Sequence, residues 1–208
     1  MTILLIRHGE TALNVARVLQ PADTPLSARG IAQAEALARW LAAMNVCAIV
    51  TSDLPRARRT AQAIAAATGA APEATPLLRE RNFGDWRGKP YDGMATNPLT
   101  MEEAPPNGES MAAFEQRVAQ AFAHVVLRHA TLGIEPGATL AVVTHGLVIR
   151  ALLATHVQLN AGMTPPAHLG NTSLSIFDAT PPHLVSLLNC TLHLDAAAGD
   201  DANALSGG

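Results

Sequence analysis

Three apolar runs in this 208-residue chain end in polar residues that a buried strand has no use for. They lead into Arg7-His8-Gly9-Glu10, into Thr51-Ser52-Asp53 with Arg56 close behind, and into Thr144-His145-Gly146. A fourth polar cluster is Arg79-Glu80-Arg81. Arginine holds phosphate bidentately through its planar fork and keeps its charge at any relevant pH. A histidine among arginines has its protonated form disfavoured by like charge, which leaves a neutral, nucleophilic imidazole. A carboxylic acid such as Glu80 can protonate a leaving oxygen and later activate water. Backbone N–H groups beside Gly9 or Gly146 can receive an oxyanion. The chemistry that fits is attack by His8 on a phosphoryl group polarised by Arg7, Arg56 and His145, with Glu80 moving the proton. The competing reading is structural: Arg7 paired with Glu10, Arg56 with Asp53, and Glu80 in a surface ion pair with its arginine neighbours.

The residues between these segments must bring them together. Residues 3–7, 47–51 and 139–144 read as strands buried on both faces, as in a parallel sheet. Ser27 can cap a helix that places Ile31, Ala34, Leu37, Ala38 and Leu41 on one face. Pro55 opens a helix over 56–68 that Gly69 closes. Phe114, Val118, Ala121, Phe122 and Val125 mark one face of a helix from about 110 to 129, and a fourth helix runs from about 147 to 156. Strands alternating with helices predict an α/β three-layer sandwich, with a mainly parallel central sheet and helices on both faces. Residues 173–177 and 184–188, joined by the turn Asp178-Ala179-Thr180-Pro181-Pro182, add an antiparallel pair at one side. In such a sheet the carboxyl ends of the parallel strands share one edge, where ligands bind. His8 and His145 therefore meet although more than 130 residues separate them.

Taken in order, these segments carry a family resemblance. Leu5-Ile6-Arg7-His8-Gly9-Glu10-Thr11 with Asn14 resembles the signature of the histidine phosphatase, or phosphoglycerate mutase-like, superfamily. The likeness continues through Leu26-Ser27-Ala28-Arg29-Gly30 with Gln33-Ala34, and through Thr51-Ser52-Asp53-Leu54-Pro55-Arg56-Ala57. Leu78-Arg79-Glu80 with Phe83-Gly84-Asp85-Trp86-Arg87-Gly88, Pro106-Asn107-Gly108-Glu109-Ser110, Val142-Val143-Thr144-His145-Gly146 and Asn171-Thr172-Ser173 complete it. The resemblance implies that His8 becomes phosphorylated, that Arg7, Arg56 and His145 hold the phosphoryl group, and that Glu80 is the proton donor and acceptor. It implies secondary phosphate contacts from Asn14 and the Gly146 backbone, a structural role for Arg150, and neither metal nor cofactor. The Phe-Gly-x-Trp-x-Gly segment resembles the phosphatase branch, whose members often hydrolyse small phosphomonoesters, more than the mutases. A cofactor-dependent phosphoglycerate mutase is the runner-up. A protein phosphohistidine phosphatase and a catalytically silent binding module are further alternatives, which the intact constellation and the long 83–109 segment disfavour.

Bulk properties exclude other classes. Nearly half the residues are apolar, which excludes a disordered chain, and the net charge of −3 with no long basic run excludes a nucleic-acid footprint. No apolar stretch is long enough for a membrane span or a signal-peptide core, which predicts a cytoplasmic protein. One catalytic domain is expected over 1–195, with 83–109 as a specificity excursion and 196–208 as a low-complexity tail. Glu102 and Glu103 are expected at the pocket mouth, Cys47 and Cys190 as buried free thiols, and Trp40 in the core. The apolar composition is compatible with a homodimer.

Overall fold

The computed structural model describes residues 2–132 and 137–194. The tail assigned to 196–208 lies outside the described residues. In chain order the elements are β1 (Thr2–Arg7), α1 (Ala12–Val15), α2 (Ala28–Leu41), β2 (Val46–Ser52), α3 (Pro55–Thr68), β3 (Pro72–Thr75), α4 (Met111–Ala130), β4 (Thr139–Thr144), α5 (Gly146–Thr155), β5 (Gln158–Leu159), β6 (Leu174–Asp178) and β7 (Leu184–Cys190). The strands form one sheet in the order β3-β2-β4-β1-β6-β7-β5. The first four in that order are mutually parallel, β6 runs against both of its neighbours, and β5 pairs parallel with β7.

Side-chain alternation along β1 divides the core. Ile3 and Leu5 join Val50, Leu140 and Val142 on the face covered by α4 and α5, through Phe114, Val118, Ala121 and Leu152. Leu4 and Ile6 join Ile49, Ala141 and Val143 on the opposite face, covered by α2 and α3 through Leu37, Leu41, Ala57, Ala61 and Ile64. The α/β three-layer sandwich is thus observed, with helices on both faces. Helix limits follow the local chemistry: Ser27 Oγ accepts from Gly30 N at the start of α2, Ser110 caps α4 in the same way, and α3 ends at Gly69 with φ of +78°. Among the described residues no helix is long and apolar enough to cross a membrane.

Some expectations fail for identifiable reasons. Strand β3 has three exposed residues and begins with proline, which an edge strand tolerates, so no apolar run marks it. Trp40 lies on the flank of the Leu37/Leu41 stripe, is 38% exposed, and stacks on His193 with ring centroids 5.7 Å apart. Both cysteines are free, but only Cys190 is buried. Cys47 sits where the β2–β4 register shifts between Val46 and Ala48, and that irregularity leaves it exposed.

One close approach ties α2 to the end of β1. Glu10 O accepts from Ser27 N at 2.9 Å, and Glu10 N donates to Gln33 Oε1 at 2.9 Å. A Cβ on Gly30 would stand 2.0 Å from Glu10 O, which is backbone and has nowhere to go. Gly30→Ala should therefore cost about 1–3 kcal/mol of stability by overpacking and lower turnover by displacing residues 8–10. A urea midpoint unchanged from wild type would overturn the requirement for glycine there.

Candidate active site

Strands β1 and β4 are adjacent, parallel and in register, with Arg7 opposite Thr144. The next residue of each, His8 and His145, therefore leaves the sheet side by side, with ring centroids 5.0 Å apart and planes 58° apart. On the far side of β4, β2 delivers Ser52, and the first turn of α3 delivers Arg56. All of this is buried: Arg7, His8 and His145 are 0% exposed, Arg56 is 1% and Glu80 is 5%.

The main chain holds His8 from both sides. His8 N donates to Thr144 O at 3.0 Å, and His8 O accepts from Thr172 N at 3.3 Å and from Asn171 Nδ2 at 3.1 Å. Its Nδ1 lies 2.7 Å from Gly9 O. A carbonyl only accepts, so Nδ1 carries the proton and Nε2 keeps its lone pair. Among the described residues Nε2 has no hydrogen-bond partner. Burial first, then the charges of Arg56 and Arg7, hold the His8 pKa well below 6.5, against a smaller opposing pull from the Gly9 bond. Burial does the same to His145, followed by Arg56, His8, Arg7 and Arg117. His145 Nε2 is 2.8 Å from Ser52 Oγ.

Arg56 reaches Pro21 O at 3.4 Å through Nη1, and Arg7 donates through Nη1 to Leu169 O. Burial brings the Arg56 pKa down to about 10 while Glu80 pulls it back up, so the guanidinium stays charged at neutral pH. Among the described residues, Asp53 and Glu10 take partners other than the ones weighed in the structural reading. Asp53 is held bidentately by Arg79, at 2.7 and 2.5 Å, and Glu10 accepts from Ser27 Oγ at 2.8 Å with Arg29 at 3.9 Å.

Glu80 is likewise no surface carboxylate. Its Oε1 accepts from Arg81 N at 2.9 Å and its Oε2 from Leu147 N at 3.1 Å. Leu147 N is one of the free amides at the start of α5, where the N-cap residue His145 makes no side-chain cap, so Glu80 caps that helix from a distance in sequence. Burial raises the Glu80 pKa above the ordinary carboxylate value, and the two amides, Arg56 and Arg117 pull it back. Gly146 is the first residue of α5 and is buried. Asn14 is 1% exposed and closes a capping box with Thr11, its Oδ1 accepting from Thr11 N at 3.1 Å.

Three contributors had no role in the sequence reading. Arg117 grips the Glu109 carboxylate at 2.9 and 2.7 Å and donates to Leu77 O, Arg79 O and Glu80 O, which fixes the segment carrying Glu80. Asn171 holds His8 O, and Ser52 holds His145. Only Asn171 and Ser52 stood inside recognised motifs; Arg117 is one of two arginines on α4 and carries no local signal. Arg150 donates to Pro166 O at 3.0 Å and Ala167 O at 2.7 Å, a structural use.

The excursion is pinned from beneath, with Arg81 donating to Pro98 O, Glu103 O and Glu109 O. Beside it lies a cavity of about 890 Å³ lined by Tyr91, Met94, Leu99, Phe114, Leu147 and Arg150, among others. A second, of about 650 Å³, is lined by Glu80, Arg79, Arg87 and Arg117 among others. Glu102 and Glu103 are exposed and are not among the residues lining either cavity.

Comparison with known proteins gives this geometry its relatives. The profile of the histidine phosphatase superfamily (branch 1) matches residues 3–190. A "Probable phosphoglycerate mutase GpmB" of Serratia proteamaculans (strain 568) is 31% identical over 97% of this chain and 98% of its own length. Its counterpart in Yersinia pestis (strain Pestoides F) is 33% identical over 97% and 98%. Among solved structures, mycobacterial glucosyl-3-phosphoglycerate phosphatase with inorganic phosphate superposes with a TM-score of 0.75 at 27% identity, covering 93% of this chain and 99% of that one. A putative alpha-ribazole-5'-P phosphatase from Escherichia coli gives 0.70 at 27% identity, covering 92% and 97%.

The buried imidazoles make stability depend on pH. The unfolded chain takes up protons on them near pH 6.5, while the folded chain resists, so their contribution is intact above that pH and lost as pH falls below it. Each imidazole contributes at most about 1.4 kcal/mol per pH unit. Glu80, with its raised pKa, works in the opposite sense as pH rises above its unfolded value, so the test must compare variants. Urea midpoints should fall less for His8→Gln than for wild type between about pH 7.5 and about pH 5.5; equal falls would contradict a neutral His8.

Proposed function

The chain belongs to branch 1 of the histidine phosphatase superfamily, and on that premise we propose that it hydrolyses small phosphomonoesters through a phosphohistidine on His8. The observation that carries this reading is the Nδ1 contact of His8 with Gly9 O, which commits the ring to the tautomer with a free Nε2. Arg7, Arg56 and His145 hold the phosphoryl oxygens, with Asn14 and the Gly146 amide as secondary contacts. The guanidinium groups supply positive charge where other phosphatases use a metal ion, so no metal enters the steps.

In the first step Nε2 attacks phosphorus and the bond to the leaving oxygen breaks, while Glu80 gives that oxygen its proton. The raised pKa of Glu80 suits it to carry this proton. In the second step the Glu80 carboxylate takes a proton from water, the resulting hydroxide attacks phosphorus, and the P–N bond breaks. Inorganic phosphate leaves, and His8 and Glu80 return to their starting states.

The GpmB relatives favour a second reading, in which the phosphohistidine passes its phosphoryl group to a second hydroxyl rather than to water. The phosphatases among the solved structures, and the Phe83-Gly84-Asp85-Trp86-Arg87-Gly88 segment, favour hydrolysis.

Brief incubation with a labelled phosphomonoester should yield an acid-labile, alkali-stable phosphoenzyme that His8→Ala abolishes. A stable label persisting in His8→Ala would falsify the nucleophile assignment. Free phosphate from 3-phosphoglycerate supports the phosphatase; the 2-isomer without phosphate release supports the mutase. Glu80→Gln should lower kcat by roughly 10²–10⁴ with little change in binding. In wild type kcat/KM should fall on the acid side as His8 takes a proton and on the alkaline side as Glu80 loses one. A persisting alkaline limb in the residual activity of Glu80→Gln would assign that limb elsewhere.

A further inference from the structure

We infer that His193, just beyond the end of β7, is a positioning residue for the nucleophile: by donating a hydrogen bond to Thr172 it holds the turn that grips the His8 main chain. The inference deepens the proposed function and rests on its assignment of His8. The turn, residues 169–173, touches both polar residues at the end of β1. Leu169 O accepts from the Arg7 guanidinium, and Ser173 O accepts from Arg7 N at 3.2 Å. His8 O accepts from Thr172 N at 3.3 Å and from Asn171 Nδ2 at 3.1 Å. A displacement of this turn therefore displaces His8 and Arg7 together.

Thr172 is where the turn needs holding. Its φ is +55°, in the left-handed region that a β-branched residue rarely adopts, and such a conformation persists only where neighbours enforce it. The residue is buried, and its hydroxyl is the available handle. A hydroxyl carries one hydrogen, and at 2.7 Å from Asn171 O that hydrogen goes to the carbonyl. The 3.0 Å contact between Thr172 Oγ1 and His193 Nε2 then runs the other way, with Nε2–H donating.

His193 is itself placed from a different element. Trp40 of α2 stacks on its ring, with centroids 5.7 Å apart and planes 25° apart. The same helix meets Glu10 through Gly30, so His193 joins two pieces of the wall around His8. Asn189 secures the other end of the turn, accepting from Gly170 N at 3.0 Å and donating to His168 O at 2.9 Å. That leaves the Thr172 hydroxyl to His193. A packing role alone would need only the ring against Trp40, and the donor separates the two roles.

The test keeps the ring and removes the donor. His193→Phe should slow phosphoenzyme formation from para-nitrophenyl phosphate about threefold to tenfold, the worth of one neutral hydrogen bond, with KM changed by less than about twofold. His193→Gln, which returns an N–H near the place of Nε2, should regain most of the rate. Thr172→Val removes the acceptor, and adding His193→Phe to it should cost no further rate. An unchanged rate in His193→Phe, an equal loss in His193→Gln, or additive losses in the double variant would overturn the inference. Amide exchange across 169–173 reads the same contact without turnover. It should quicken in His193→Phe and return toward wild type in His193→Gln, and equal exchange in all three overturns the inference. If wild type forms no phosphoenzyme while exchange follows this pattern, the hydrolase reading falls and the hold of His193 on the His8 main chain stands.

Discussion

Positive charge buried beside two imidazoles is the constraint on which this site depends. A buried charge costs several kcal/mol unless dipoles or counter-charges compensate it. Here the compensation is partial. Arg56 leans on one carbonyl at 3.4 Å and on the field of Glu80, and burial still brings its pKa down to about 10. The two histidines adapt by staying neutral, since a proton on either would add a third positive charge to the same buried volume. The proposed phosphoryl dianion would supply the negative charge that this arrangement lacks. The same imbalance keeps the His8 lone pair available, so the proposed binding and nucleophilic roles have one physical cause.

Geometry at the site comes from the sheet. Because β1 and β4 are in register, the histidine that follows each strand sits at the same height, and no loop needs to reach for its partner. Backbone bonds with Thr144 and Thr172 and the side-chain amide of Asn171 then fix the His8 main chain. The α2 helix closes from the other face, and its approach is so tight that Gly30 and Glu10 are in backbone contact. A proposed nucleophile carried on rigid strand ends suits chemistry that depends on positioning.

Much of this was legible in the amino-acid sequence, for physical reasons. Strands β1, β2 and β4 are buried on both faces, so they read as unbroken apolar runs, and a histidine or arginine at their ends stands out. Helices α2 and α3 announce themselves through Ser27 and through Pro55 with Gly69, because caps are local chemistry, and α4 through its apolar stripe from Phe114 to Val125. Illegible were the features set by distant partners. Strand β3 is polar and exists because β2 offers it an edge. Trp40 satisfies the composition of a core residue but lies off the stripe. Arg117 acts on residues roughly 40 positions away, and nothing in its own neighbourhood says so.

Glu80 shows how a structural and a chemical requirement come to share one side chain. As the cap of α5 it should be ionised, because amides and the positive end of the helix stabilise a carboxylate. As a proton donor it should be neutral, and burial pushes it that way. The two tendencies oppose each other, and burial is the larger, so the carboxyl pKa stands above its ordinary value. A raised pKa favours the proton-giving half of the role proposed for Glu80, and the two amides favour the proton-taking half. Arg117 and Glu109, paired at 2.7 Å, hold the segment in place while leaving both Glu80 oxygens to the amides of Arg81 and Leu147. Its neighbour Arg79 is kept from Glu80 by the bidentate pair with Asp53. Had Arg79 turned inward instead, its charge would favour the Glu80 carboxylate and oppose the proton-donor role proposed for it.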